Sequence, residues 1–213
     1  LVAEDVTINQ IIVKRILEEW GHEVVLVSNG QEAFDAHKRK DFDLILMDIH
    51  MPEVDGYEAT QMIRHMGDTI KAAVPIVALT ANAFKQETDR FAEAGFNDYI
   101  TKPFTEAGLY DCIKKQLQLN SPVDFSKKLK QKIAEENSEK LYDLSALQGI
   151  EQDDTAFLKE IVMVFIKNTT IDISNLLKAI ESNNSNEIFQ LAHRMKSSIY
   201  SVGIKQAYKT VES

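Results

Sequence analysis

The sequence predicts an α/β unit built on a doubly wound, five-stranded parallel sheet, followed by an all-α helical bundle. Short apolar runs alternate with longer amphipathic runs through the first part of the chain, a pattern typical of such a sheet. After Leu141 no strand pattern appears and the periodicity is helical. Residues 1–120 carry 12 Lys and Arg against 20 Asp and Glu (net charge −8), whereas residues 121–213 carry 12 against 13 (net charge −1). These observations indicate two structural units.

The strands of the first unit are predicted at five short apolar runs. The alternation of these runs with helical patterns implies parallel strands covered on both faces. In chain order the predicted strands are Leu1–Ala3, EVVLV from Glu23, FDLILMD from Phe42, PIVAL from Pro75 and DYI from Asp98.

Helices are predicted where apolar residues recur at helical spacing between these runs. Gly21, the pair Asn29 and Gly30, and Gly95 mark helix ends and turns. The predicted helices of the first unit are Asn9–Trp20, Gln31–Arg39, Tyr57–His65, Lys85–Ala94 and Glu106–Leu117.

The composition becomes charged and polar from Asn120, which predicts a domain at 1–119, a linker at 120–140 and a helical domain at 141–213. The sequence starts without a methionine and ends within a helical pattern, so we expect a fragment that lacks the C-terminal part of the bundle. The helices predicted in this domain are Asp153–Lys167, Ile173–Ser182 and Asn186–Ser198, with a further helix beginning near Ile204.

The composition excludes several classes of protein. A single cysteine, Cys112, excludes an intramolecular disulfide and fits a reducing compartment. The net charge of −9 argues against a nucleic-acid-binding surface. No apolar run approaches the roughly 20 residues that a membrane span needs. We therefore expect a cytoplasmic chain that is not inserted into a membrane and does not bind nucleic acid.

Polar side chains are predicted at the carboxyl ends of four strands. Glu4 and Asp5 follow the first strand and Asp48 ends the third, its neighbour in the doubly wound order. Clustered carboxylates repel unless a cation lies among them, and oxygen ligands at an open site suit Mg²⁺. Thr80 and Lys102 follow two further strands. This set suits phosphoryl transfer to Asp48, because the metal ion and Lys102 can neutralise the phosphoryl oxygens.

The first unit resembles the receiver domain of bacterial response regulators over residues 1–119. The resemblance rests on AEDVTIN, GHEVVLVSNGQEAF, DLILMDIHMPEVDGYEAT, PIVALTANA and GFNDYITKPF, and it implies a flavodoxin-like fold. The residue roles that it implies are Asp48 as phosphoacceptor, Glu4, Asp5, Asp48 and the backbone carbonyl of His50 as the metal site, Thr80 and Tyr99 as the switch pair, and Lys102 as the lysine of that family.

The second unit contains one histidine, in the segment LAHRMKSSIYSVG that begins at Leu191. At about 100° per residue, Leu191, Ala192, Met195 and Ile199 form an apolar stripe, and His193 falls well away from it. This spacing predicts an exposed histidine, which is either an ordinary surface residue or a nucleophile. A neutral imidazole can accept a phosphoryl group near physiological pH.

The stretch AHRMKSS is similar to the sequence around the active histidine of histidine-phosphotransfer domains. In those domains a lysine follows at the interval of Lys196, where its charge can reach a phosphorylated His193. Ser197 stands where they usually have glycine. The resemblance covers residues 141–213 and implies a four-helix bundle, of which this sequence holds an incomplete part.

Together the two resemblances imply a phosphorelay module from the C-terminal end of a hybrid sensor histidine kinase. A kinase histidine, in the same or another chain, would phosphorylate Asp48, and His193 would pass the phosphoryl group to a downstream receiver. No kinase core is visible, so whether this chain is itself an enzyme stays open. In the alternative, the helical region is a structural or dimerising element beside a receiver switch. A flavin carrier is disfavoured, because carboxylates stand where a phosphate-binding loop is needed.

Overall fold

The computed structural model describes residues 1–80, 85–102, 104–118 and 155–204. The linker predicted at 120–140 and the residues after Ile204 lie outside these ranges. The described residues form two compact units. The first comprises residues 1–5 and 20–118, and the second comprises residues 6–19 and 155–204. None of the helices described is long and apolar enough to cross a membrane.

The first unit is built on a five-stranded parallel sheet with the order β2-β1-β3-β4-β5. The flavodoxin-like architecture predicted from the sequence is confirmed. Strand β1 lies between β2 and β3, so the carboxyl ends of β1 and β3 meet at one edge of the sheet. The strands are β1 (Val2–Ala3), β2 (Leu26–Val27), β3 (Ile45–Asp48), β4 (Ile76–Thr80) and β5 (Asp98–Thr101).

The helices begin and end within a few residues of their predicted bounds in the first part of the chain. Asn29, Asp55 and Thr105 cap helix N-termini, each accepting a hydrogen bond from a backbone N–H three residues ahead. The short helix α4 was not predicted. The helices of this part are α1 (Thr7–Glu19), α2 (Gly30–Arg39), α3 (Gly56–Arg64), α4 (Thr69–Ala72), α5 (Lys85–Ala94) and α6 (Glu106–Gln116).

The core of the first unit lies along β3 and β4, in which every residue is buried. Strands buried on both faces read as continuous apolar runs, which is why ILMD and IVALT show no alternation. At the opposite edge from Asp48, the guanidinium of Arg64 donates to the carbonyl oxygens of Gly95, Ala72 and Val74 and to the side chain of Asn97. Arg64 thereby joins α3 to the starts of β4 and β5.

The second unit contains α1 with two long helices, α7 (Thr155–Glu181) and α8 (Ser185–Ser201). The prediction of separate helices at Asp153–Lys167 and Ile173–Ser182 was wrong, because α7 runs continuously through the polar segment between them. That segment holds neither glycine nor proline, and its Asp172 receives two hydrogen bonds from Arg194 of α8. Tertiary pairing thus stabilises helix where local polarity suggested a turn.

Helix α7 also carries an exposed apolar stripe. Ile161 and Ala179 are buried, but Val162, Ile166, Ile173, Leu177 and Ile180 are between 42% and 59% exposed. Contiguous exposed apolar side chains mark a surface that suits a packing partner.

Candidate functional site

Three carboxylates meet at the carboxyl ends of β1 and β3. Glu4 is fully buried, Asp48 is 3% exposed and Asp5 is partly buried. One carboxylate oxygen of each residue lies within 4.8 Å of one oxygen of the others. The structure therefore brings together the acidic residues that the sequence predicted at these two strand ends.

The ammonium of Lys102 lies between two of these carboxylates. Its Nζ donates to Glu4 Oε2 at 2.5 Å and to Asp48 Oδ2 at 2.6 Å. Burial disfavours the charged lysine, but the adjacent carboxylates of Asp48 and Glu4 outweigh it and hold the pKa of Lys102 above its usual range. Burial raises the pKa of Glu4 to about 8, an increase that Lys102 opposes and that Asp48 and Asp5 reinforce. The cluster thus holds more negative charge than one lysine compensates.

The loop after β3 shapes the other side of Asp48. The backbone N–H of His50 donates to Asp48 Oδ1 at 3.3 Å, while the His50 side chain is exposed, so the backbone of this residue and not its ring adjoins the site. Gly56 closes the loop by donating from its N–H to Ile49 O at 3.0 Å. A Cβ at Gly56 would lie 2.1 Å from the carbonyl oxygen of Asp48, so only glycine fits there.

Thr80 and Tyr99 lie on β4 and β5, the two strands that follow β3 across the sheet. Thr80 ends β4 and is 3% exposed, and its carbonyl oxygen accepts a hydrogen bond from the Lys102 N–H. Tyr99 lies on β5, is 39% exposed, and its ring packs 5.6 Å from that of Phe91. The predicted switch pair therefore consists of one buried hydroxyl and one partly exposed aromatic ring.

His193 lies in the second unit, on α8. It is partly buried, and its ring stacks on that of Phe189 with a centroid distance of 6.4 Å. Lys196 lies one turn further on, with its Nζ 5.7 Å from the centroid of the Tyr200 ring. The sequence predicted an exposed His193, whereas the structure leaves it partly buried, with its ring against that of Phe189 of the same helix.

The buried face of α8 differs from the predicted apolar stripe. Leu191 is buried as predicted, but Ala192 is exposed and Ser198 is buried. The hydroxyl of Ser198 donates to Arg194 O, which satisfies the buried polar group and lets it occupy a packed position. The hydrophobicity of the residues alone therefore could not show which face of α8 is buried.

The sequence pattern indicated no role for Asn9, which is 5% exposed in α1. Its side-chain amide donates to Ser197 Oγ at 2.9 Å and accepts a hydrogen bond from the Ser201 hydroxyl. Asn9 could have been identified in the sequence as an amide within the otherwise apolar face that contains Ile8, Ile12 and Ile16.

Comparison with known proteins decides the family. Residues 1–114, more than half of the chain, match the family described as the response regulator receiver domain. The chain belongs to the receiver family. A relative of this receiver is hybrid signal transduction histidine kinase I of Dictyostelium discoideum, 40% identical over 122 residues, which cover 55% of this chain and 7% of that protein.

Other relatives match the receiver and the region beyond it. Sensor histidine kinase GacS of Pseudomonas protegens is 28% identical over 97% of this chain and 23% of its own length. Sensor protein EvgS of Escherichia coli is 28% identical over 92% of this chain and 15% of its own length. The chain thus spans less than a quarter of the length of these relatives.

A solved structure shares the receiver fold. The receiver domain of sensor histidine kinase PA1611 from Pseudomonas aeruginosa is 37% identical, covers 55% of this chain and 95% of its own, and superposes with a TM-score of 0.51. That crystal structure holds a magnesium ion coordinated in its active-site cleft.

Proposed function

We propose that this chain is a phosphorelay module of a hybrid sensor histidine kinase, in which Asp48 accepts a phosphoryl group and passes it to His193. The observation that carries the proposal is the buried cluster at the ends of β1 and β3, where Lys102 contacts Asp48 beside two further carboxylates. An ammonium paired with the acceptor carboxylate can also neutralise phosphoryl oxygens that arrive there. The sensor kinases among the relatives support the same assignment.

The residues present fit Mg²⁺, because Glu4, Asp5 and Asp48 offer three carboxylates and the predicted fourth ligand is the carbonyl of His50. When bound, the ion supplies positive charge for the phosphoryl oxygens. The magnesium ion of the PA1611 receiver supports this assignment.

In the first step, a carboxylate oxygen of Asp48 attacks the phosphorus of a phosphohistidine in a kinase core. The new O–P bond forms as the N–P bond breaks, and the released imidazole takes up a proton. Lys102 holds one oxygen of Asp48, while the N–H of His50 holds the other, which orients the carboxylate for attack. Thr80, buried beside the cluster, is proposed to contact the phosphoryl group, with Tyr99 responding on β5.

In the second step, a ring nitrogen of His193 attacks the acyl phosphate. The N–P bond forms, the ring proton is released, and the Asp48 carboxylate leaves. Lys196 is proposed to stabilise the phosphorylated imidazole, and a downstream receiver then accepts the group. We place the module in the cytoplasm, as the C-terminal part of its sensor kinase.

The exposed apolar stripe of α7 favours a second candidate for the helical region, a structural or dimerising element without chemistry. Acid and base stability separate the two, because an acyl phosphate is lost in base and a phosphohistidine in acid. The chain is incubated with acetyl phosphate and Mg²⁺, and its intact mass is measured after each treatment.

The relay predicts that the wild-type chain carries both a base-labile phosphoryl group, on Asp48, and a base-stable one, on His193. Asp48→Asn should abolish both, and His193→Gln should abolish only the base-stable fraction. Asp43→Asn and His65→Gln, at exposed positions, serve as matched controls that should label normally. Base-stable phosphate that persists in His193→Gln would refute the histidine step and favour the structural candidate.

A further inference from the structure

An exposed aromatic ring lies against the imidazole of His193. The ring of Phe189 stacks on it, with the two centroids 6.4 Å apart and the two planes inclined by 27°. The residues stand at i and i+4 of α8, so their side chains are neighbours on one helix face. A centroid distance of this size lies within the range of attractive aromatic pairs. The imidazole is therefore held by a neighbour on its own helix.

Phe189 lies on the side of α8 that faces away from the packed side. With Phe189 at 0° and about 100° per residue, His193 falls at about 40°, whereas the buried Leu191 and Ser198 fall at about 200° and 180°. Phe189 is 63% exposed, so most of its ring stays in water and contributes little burial energy to folding. Core packing thus does not account for a large aromatic side chain at this position, whereas the stack on His193 does.

The lysine of the proposed site has the same kind of support. On this scale Lys196 falls at about 340° and Tyr200 at about 20°, so both lie on the face that carries His193. The Nζ of Lys196 lies 5.7 Å from the centroid of the Tyr200 ring. The imidazole and the ammonium therefore each rest against an aromatic ring of α8, one turn before His193 and one turn after Lys196.

The stack restrains the imidazole without blocking its nitrogens. The lone pair that attacks phosphorus lies in the plane of the ring, at its edge, whereas Phe189 covers a face. In the attack, the N–P bond forms as the O–P bond to Asp48 breaks, and the imidazole releases its ring proton. A ring that already holds one orientation loses less rotational freedom when it meets the phosphorus.

We propose that Phe189 is a positioning residue for phosphoryl transfer to His193, acting through its stack on the imidazole. The inference rests on the proposed function of His193. An aliphatic side chain at position 189 can cover the imidazole, but it has no flat face that holds the imidazole plane parallel to it. The transfer therefore requires an aromatic residue at this position, and an apolar residue of another kind does not suffice.

The test compares Phe189→Leu with Phe189→Tyr in the intact chain, incubated with acetyl phosphate and Mg²⁺. Phe189→Leu should slow the appearance of base-stable phosphate about fivefold, because the imidazole must then be oriented during each transfer. Phe189→Tyr keeps the stack, and its hydroxyl can reach water at this exposed position, so it should transfer at the wild-type rate. Base-labile phosphate on Asp48 should appear at the wild-type rate in both variants. Met163→Leu, at a 70% exposed position of α7, is the matched control and should change neither rate.

Acylation of His193 by diethyl pyrocarbonate, followed by mass spectrometry of its peptide, separates orientation from loss of reactivity. This small reagent can approach from any direction, so His193 of Phe189→Leu should be acylated at least as fast as in the wild type. The inference is overturned if Phe189→Leu transfers at the wild-type rate, if Phe189→Tyr is as slow as Phe189→Leu, or if acylation slows in parallel with transfer. Absence of base-stable phosphate in the wild-type chain would instead refute the proposed function, and the inference with it.

Discussion

Replacing Lys102 with Met tests whether its ammonium compensates the buried carboxylates. Methionine keeps the length and apolar stem of the side chain but removes the charge that lies 2.5 Å from Glu4 and 2.6 Å from Asp48. These two side chains are 0% and 4% exposed, so water cannot replace the ammonium. Removing one partner of a buried ion pair costs about 3–5 kcal/mol. We expect about 3 kcal/mol at pH 8, because Glu4 can take up a proton and relieve part of the repulsion.

The loss should depend on pH in a defined direction. The pKa of Glu4 is raised from 4.5 to about 8 in the folded protein, chiefly by burial, and Lys102 opposes that increase. Because the folded chain binds this proton more tightly than the unfolded chain, the contribution of Glu4 to stability is present below about pH 4.5 and is lost as the pH rises towards 8. Lys102→Met raises the pKa of Glu4 further, so the destabilisation should be larger at pH 8 than at pH 6.

Urea unfolding followed by the fluorescence of Trp20, the single tryptophan, reports on the first unit. Measurements in EDTA isolate the role of Lys102, and added Mg²⁺ should stabilise the variant more than the wild type, since the ion then replaces the missing charge. Lys115→Met is the control. Lys115 is exposed in its ion pair with Asp98, so loss of that pair should lower the free energy of unfolding by about 1 kcal/mol or less. A loss in Lys102→Met that is as small as this control, or is the same at pH 6 and pH 8, would refute the reasoning.

Three further outcomes follow from the described contacts. Gly56→Ala should slow acetyl-phosphate labelling of Asp48 by about 100-fold, because its Cβ would displace the Asp48 backbone by about an ångström; intact-mass kinetics measure this. Asp172→Ala should destabilise the second unit by about 2 kcal/mol, since Arg194 loses two charge-assisted hydrogen bonds; thermal unfolding by circular dichroism measures this. The pKa of Cys112 is raised to about 11 by burial and by nearby Asp98, so at pH 8 iodoacetamide should modify it about 100-fold more slowly than an ordinary thiol of pKa 9.

Each of these outcomes has a matched comparison. Gly67→Ala, with nothing within 4 Å of the added Cβ, should label at the wild-type rate. Asp68→Ala removes the cap of α4 in the first unit and should leave the unfolding of the second unit unchanged. Cys112 should react at the ordinary rate in urea. The first prediction is contradicted if Gly56→Ala labels at the rate of Gly67→Ala. The second is contradicted if Asp172→Ala unfolds at the wild-type temperature, and the third if Cys112 reacts equally fast in water and in urea.

The local sequence pattern was sufficient to predict much of the fold of the first unit. The alternation of apolar and amphipathic runs predicts a doubly wound sheet because each element must cover the next, and that architecture places the ends of β1 and β3 side by side. Their positions at strand ends were therefore enough to group Glu4, Asp5 and Asp48. The structure places one carboxylate oxygen of each within 4.8 Å of those of the others. The periodicity also indicated helices in the second unit, although not that two of them are one.

Tertiary structure decided what depends on residues far apart in the chain. The contact of Lys102 with Glu4 spans 98 positions and that of Asn9 with Ser197 spans 188, and no local window contains both partners. The same holds for the close approach of Gly56 to the Asp48 carbonyl and for the pairing of Asp172 that keeps α7 continuous. A sequence pattern reports which side chains prefer burial, whereas hydrogen bonds and excluded volume between distant segments determine which polar groups can be buried and where.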